Sequence, residues 1–184
     1  MAYEPSPHPI EVSLPPRRHE LLASLLAEAG VDQRPGEDRQ GAALRAARLR
    51  GEAMGSRDAA VPSASADPLA CALAALERLG FEPEILAEPG SATVTVLRNC
   101  PFHPVAAQAP SLVCGMNHAF VEGYLTGLGD TTATPVLNPR PGSCCVELRT
   151  NEEGVARGAR PPRVACDRES TRVSRRRARG RHAQ

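Results

Sequence analysis

The sequence predicts an α+β protein, with N-terminal helices followed by an α-β-β-α-β-β unit built on a small antiparallel sheet. Three observations predict it. Leucine and other apolar residues recur at three- and four-residue spacing in several stretches, as one face of a helix requires. Two pairs of short runs, one of them with the Val/Thr alternation of 92–98, are each joined by a Pro/Gly-containing segment, as hairpins are. Finally, the order helix, two strands, helix, two strands suits helices gathered on one face of an antiparallel sheet.

Residues 1–16 contain Pro5, Pro7, Pro9, Pro15 and Pro16 and read as an extended lead-in, because proline fixes φ and lacks a donor. Over 17–30, Leu21, Leu22, Leu25, Leu26 and Ala29 share a helical face, and Gly30 is the expected stop. Residues 37–54 form a second helical stretch rich in Ala and Arg, with Leu44, Ala47, Leu49 and Met54. Its apolar face is shallow, so it is expected to pack on a partner chain or on the first helix. Residues 17–55 are accordingly read as a helical dimerisation region and the chain as a homodimer. The small polar residues of 56–66 read as a linker.

A domain over 67–150 follows. Asp67 is a good helix cap, Pro68 fits the first helical position, and Leu69, Leu73, Leu76 and Leu79 make one stripe up to Gly80. Cys71 lies off that stripe and reads as an incidental small residue. Residues 81–87 and 92–98 predict one hairpin; 132–138 and 144–149 predict another. Between them, Leu112, Val113, Met116, Phe120 and Tyr124 give the best helix, over 111–128, with Ser111 as its expected cap. Residues 151–184 show no apolar periodicity and read as a disordered Arg-rich tail.

Composition narrows the function. The chain has 184 residues, no Trp and 22 basic residues, all of them Arg, a bias that says little about binding. Residues 1–150 carry 12 Arg against 17 acids, a net of −5; residues 151–184 carry 10 against 4, a net of +6. The Arg run at 175–181 offers at most non-specific phosphate contacts. Residues 1–20 lack the apolar core of a signal peptide, and no run approaches a membrane span. A cytoplasmic location is expected, where cysteines serve metals more often than disulfides. No nucleotide loop, Gly-x-Ser-x-Gly elbow or HExxH is present, so the chain is not expected to be an enzyme.

The informative residues are cysteines. Cys100 and Cys114 have thirteen residues between them, and Cys144 and Cys145 are adjacent. Each is predicted at a strand end, helix start or turn edge, where distant thiols can meet. His103 follows Cys100 by three residues. Thiolates are soft ligands and imidazole suits Zn or Fe, so the set fits an iron–sulfur cluster or a single Zn or Fe ion. The alternative is that Cys100 and Cys114 are small buried hydrophobes. Strand parity groups Cys144 with Val146 and Leu148 on the apolar face and turns Cys145 outward with Glu147, as a reserve ligand. Glu122 and Glu147 read as solvated carboxylates and His118 as solvent-facing. His8, His19, His182 and Cys166 carry no signal.

At these residues the chain resembles the C-terminal sensor half of winged-helix transcriptional regulators of the ArsR/SufR type. The resemblance rests on Arg98-Asn99-Cys100-Pro101-Phe102-His103, on Leu112-Val113-Cys114-Gly115-Met116-Asn117 with the following Glu122-Gly123-Tyr124-Leu125, and on Pro141-Gly142-Ser143-Cys144-Cys145-Val146-Glu147-Leu148. Residues 15–28 resemble the helix that follows the wing. The resemblance implies iron–sulfur- or metal-dependent regulation with Cys100, Cys114 and Cys144 or Cys145 as ligands and His103 as a possible fourth. It implies DNA contact only through a helix-turn-helix, and no segment before residue 17 fits one. The rival expectation is a structural, zinc-stabilised interaction module without regulatory output.

Overall fold

The computed structural model describes residues 13–60, 68–86, 93–129 and 132–150. Most of the expected lead-in, linker residues 61–66, the Asp67 cap and the whole tail with Cys166 lie outside the described residues. Five helices and four strands are described: α1 (His19–Val31), α2 (Arg39–Ala59), α3 (Pro68–Arg78), β1 (Pro83–Leu86), β2 (Thr93–Leu97), α4 (Val105–Gln108), α5 (Pro110–Leu128), β3 (Ala133–Leu137) and β4 (Val146–Thr150). The fold is α+β. All three strand pairings are antiparallel and the sheet order is β1-β2-β4-β3. Both predicted hairpins are present, and β2 and β4 join them at the centre.

Helix α5 organises the molecule: α2 runs along one side of it and β3 packs on another, while α3 and α4 also touch it. The core combines Leu22, Leu25, Leu76, Phe81, Leu97, Phe102, Met116, Phe120, Val146 and Leu148. Phe81 and Phe102 meet edge to face, with ring centroids 6.1 Å apart. That contact joins the end of α3 to the turn after β2.

Several local expectations change. Gly30 does not stop α1, which runs to Val31. Ser111 does not cap α5; the helix starts one residue earlier at Pro110, and Gly129 ends it with φ 75°, the left-handed conformation glycine adopts freely. Helix α2 continues to Ala59, through the first residues of the expected linker, and is capped by Asp38, whose Oδ1 accepts from Gly41 N at 2.6 Å.

Of the two partners expected for α2, the first helix is present beside it, and α5 is a further one. The buried residues of α2 are Ala42, Ala43, Ala46, Ala47, Gly51 and Gly55, whereas Leu49 is exposed. This small-residue face is spent inside the chain. A Cβ on Gly51 would lie 2.1 Å from Phe120 O and one on Gly55 2.2 Å from Tyr124 O; from the other helix, one on Gly123 would lie 2.1 Å from Arg48 O and one on Gly127 2.2 Å from Glu52 O. The two Gly-x-x-x-Gly stretches thus let backbone touch backbone. With the expected α1 on one side, α2 has on another a partner that the sequence did not reveal, α5.

Glu147 is also corrected. It points away from Val146 and Leu148, as strand parity requires, yet it is only 2% exposed. Asn138 Nδ2, Arg149 Nη2 and Arg140 Nη2 reach its carboxylate at 3.0, 2.9 and 3.0 Å. Val96 and Val136 are its cross-strand neighbours. A carboxylate is stable there because its charge is paired and its oxygens accept hydrogen bonds.

Candidate metal centre

Four thiols come together where β2 ends, α5 begins and β4 is about to begin. Cys100 lies three residues beyond β2, in a turn closed by His103 N donating to Cys100 O at 3.1 Å. The turn is anchored by Pro101 and Phe102, both buried. Cys114 is the fifth residue of α5, just past the turn where the helix dipole acts most strongly. The adjacent pair sits in the loop before β4 and is pinned from both sides. Cys144 N donates to Leu97 O at 2.8 Å, and Asn138 N donates to Cys145 O at 2.8 Å.

These bonds extend the strand pairing, but Cys144 and Cys145 precede β4 itself, so strand alternation does not govern their side chains. Both are buried, at 3% and 8% exposure. The expectation that Cys145 faces outward is therefore corrected. Cys100 has Cys144 as a neighbouring thiol, Cys144 has Cys145, and Cys145 has Cys114, close enough for each to perturb the next. The four thiols thus lie near one another at one place in the fold.

The surroundings oppose ionisation of Cys100, Cys114 and Cys144. The Cys100 thiol is pushed far above the ordinary range by its hydrogen bond to Cys144, then by burial and the proximity of that second thiol. The backbone N–H groups of Phe102 and His103 act against this, because they favour a thiolate at Cys100. Cys144 is held down by its bond with Cys100, but the bond with Cys145 and burial outweigh this and push it up to about 12. The N–H of Val146 again favours the thiolate. Burial raises Cys114, opposed by its bond with Cys145. A cation among these sulfurs would reverse the balance, since a coordinating thiol is deprotonated.

Asn117, one turn beyond Cys114, is 1% exposed and donates from Nδ2 to Cys144 Sγ at 3.0 Å. Its Oδ1 is the buried side-chain oxygen left without a hydrogen bond among the described residues. Sequence reasoning passed over Asn117, although the three-residue spacing from Cys114 places both on one helix face. It passed over Arg17 and Asn99 as well; Arg17 Nη1 donates to Cys100 O at 2.7 Å and to Asn99 Oδ1 at 3.0 Å.

The histidines stand apart from the sulfurs. His103 is exposed, and its carbonyl oxygen lies 3.1 Å from His19 Nε2. His118 is half-buried rather than solvent-facing, with Nε2 3.0 Å from Pro135 O, and so ties α5 to β3.

Four soft donors, with an amide donor on one of them and an orphaned amide oxygen beside it, suit a thiophilic metal or an iron–sulfur cluster in chemical type. Among the described residues, no three His, Cys, Asp or Glu side chains surround a common point as ligands would. Binding therefore requires the thiols to turn toward a shared centre. The chain matches no protein-family model, no curated protein and no solved structure at a significant level.

Proposed function

We propose that this chain carries a metal- or iron–sulfur-sensing effector domain of a transcriptional regulator, with Cys100, Cys114, Cys144 and Cys145 as the ligands. The observation that carries the reading is that four free cysteines from the end of β2, the start of α5 and the loop before β4 are gathered at one place in the fold. Four thiolates would satisfy a tetrahedral zinc ion or a cubane cluster. His103 is left out of the set because it is exposed. The regulatory part of the reading rests on the resemblance of the three cysteine segments to ArsR/SufR-type regulators.

When bound, the group supplies strong metal–sulfur bonds whose loss or oxidation is a chemical signal. The protein's own residues hold the ligand loops in register: Leu97 O and Asn138 N fix the Cys144–Cys145 loop, and His103 N donating to Cys100 O closes the Cys100 turn. A signal of this kind shifts a regulator only through a difference in affinity between two conformations. Here that difference lies in whether or not the thiols converge on a centre.

A structural zinc site is the second reading, favoured by the place of the thiols at the junction of β2, α5 and the loop before β4, where an ion would clamp the sheet to its helix. Anaerobic purification with analysis of iron, acid-labile sulfide and zinc separates the two. Brown protein containing iron and sulfide supports the sensor. Colourless protein with about one tightly held zinc per chain supports the structural site. Protein that takes up neither after reconstitution overturns both.

A further inference from the structure

Three consecutive residues at the entrance to α1 are tied to the turn that carries Cys100. Arg17 Nη1 donates to Cys100 O at 2.7 Å, and Arg18 N donates to Pro101 O at 2.9 Å. His19 Nε2 lies 3.1 Å from His103 O. The Arg17 guanidinium also donates to Oδ1 of Asn99, the buried neighbour of Cys100. Asn99 in turn donates from Nδ2 to Gly80 O at 2.5 Å and Pro16 O at 3.3 Å. The chain before α1 is thus stitched to the residue before Cys100, to Cys100 itself and to the turn after it.

We infer that residues Arg17–His19 form a strap coupling the state of the thiol site to the entrance of α1, with Arg17 and Asn99 as positioning residues for Cys100. The inference deepens the proposed reading of the four thiols as a metal or cluster site and rests on it. Its physical basis is direct. The thiols must turn to converge on a centre, and the Cys100 peptide is held by Arg17 while this happens. Movement of that peptide either carries residues 17–19 with it or breaks their hydrogen bonds. Leu22 N donates to Arg18 O, so the first turn of α1 hangs on the same residues. Coupling is reciprocal: ordering that the bound metal imposes on the strap is returned as affinity for the metal. A charged donor holding a ligand residue in place acts as an outer-shell partner does, and loss of such partners weakens metal binding about 10- to 100-fold.

The test uses the full chain, kept reduced and anaerobic, with zinc as the probe and a chelator as competitor. Wild type is compared with Arg17→Met and Arg17→Lys, and with Arg45→Met as a control. Arg45 is a guanidinium paired with Glu37 at the entrance to α2, away from the thiols. Hydrogen exchange is followed in peptides covering residues 14–24, with and without zinc. The expected result is that zinc slows exchange across 14–24 in wild type. Arg17→Met should bind zinc roughly tenfold or more weakly and lose that slowing. Arg17→Lys should recover part of the affinity, and Arg45→Met should bind as wild type does. If wild type binds zinc but exchange over 14–24 is unmoved, or if Arg17→Met binds zinc as tightly as wild type, the coupling is wrong and the metal reading stands. A wild-type chain that takes up neither zinc nor iron overturns the metal reading and the coupling with it.

Discussion

Asn117 has one amide hydrogen directed at Cys144 Sγ and an amide oxygen with no hydrogen bond among the described residues. An unsatisfied buried acceptor opposes stability, whereas a donor aimed at sulfur favours the thiolate a metal requires. Asn117→Leu removes both and keeps a similar volume. It should change the stability of the metal-free protein by less than about 1 kcal/mol yet weaken zinc binding about tenfold, read by urea unfolding and chelator competition. Equal losses in both would show that Asn117 serves the fold alone. Glu147 makes the opposite case. Desolvation raises its pKa, but hydrogen bonds from Arg149 and Asn138 and the charges of Arg140 and Arg149 outweigh it, and the carboxyl is held below its ordinary range. A depressed carboxyl contributes stability that is present above its unfolded pKa, near 4.5, and is lost as pH falls through the folded value. Glu147→Gln should cost about 1–3 kcal/mol at pH 7, and that difference should shrink below pH 4.5 in urea titrations. A difference independent of pH would contradict the ion-pair account.

At the scale of elements, the contact between α2 and α5 is the feature most sensitive to a single atom. A Cβ on Gly51 would meet the Phe120 carbonyl oxygen, and neither partner is a flexible side chain that can turn aside. Relief requires the helices to separate along the whole seam. Gly51→Ala should therefore destabilise by about 3 kcal/mol, despite the roughly 1 kcal/mol that alanine gains in helix propensity. Gly30→Ala isolates the propensity effect, because nothing lies within 4 Å of its added Cβ. It should be neutral or stabilising by up to about 1 kcal/mol. Thermal unfolding of the two variants checks the pair, and similar shifts would mean that the seam is looser than it looks. Tyr124 reinforces the same seam: its hydroxyl donates to Asp58 Oδ2, and burial followed by that bond raises its pKa.

At the scale of the molecule, the thiols lie where three elements meet: the end of β2, the start of α5 and the loop before β4. A metal held by all four sulfurs would bind the folded chain in preference to the unfolded one, so its binding energy would become folding energy. Stabilisation should grow with free zinc and reach about 2.7 kcal/mol at a hundred times the dissociation constant. The unfolding midpoint of reduced protein should rise with zinc, and a variant with Cys100, Cys114, Cys144 and Cys145 all changed to Ser should show no rise. Equal rises in both would place zinc elsewhere. Among the described residues, no helix is long and apolar enough to cross a membrane.

Much of this was legible in the residues. The leucine spacing of α3, the apolar run of α5 and the Val/Thr alternation of β2 are local patterns, and they specify local structure wherever the chain is placed. The three cysteine segments were legible too, because a strand end, a helix start and a pre-strand turn can be recognised from their neighbours. Other features depended on the partner across the gap. Helix α2 looked feeble because hydropathy counts apolar atoms, whereas its packing depends on how closely two backbones approach, and that distance exists only once α5 lies beside it. Glu147 looked solvated because its parity is polar; Arg149 lies two residues along the same strand, but Arg140 and Asn138 join it only when β3 and β4 pair. Alternation turned Cys145 outward, but it lies before β4, where Leu97 and Asn138 set the backbone instead. The tie from Arg17 to Cys100 spans 83 residues. By itself the sequence determined the helices, the hairpins and the thiol-bearing segments, because each is governed by near neighbours. Tertiary structure alone decided which faces are buried and which thiols gather, because those depend on distances between segments remote in the chain.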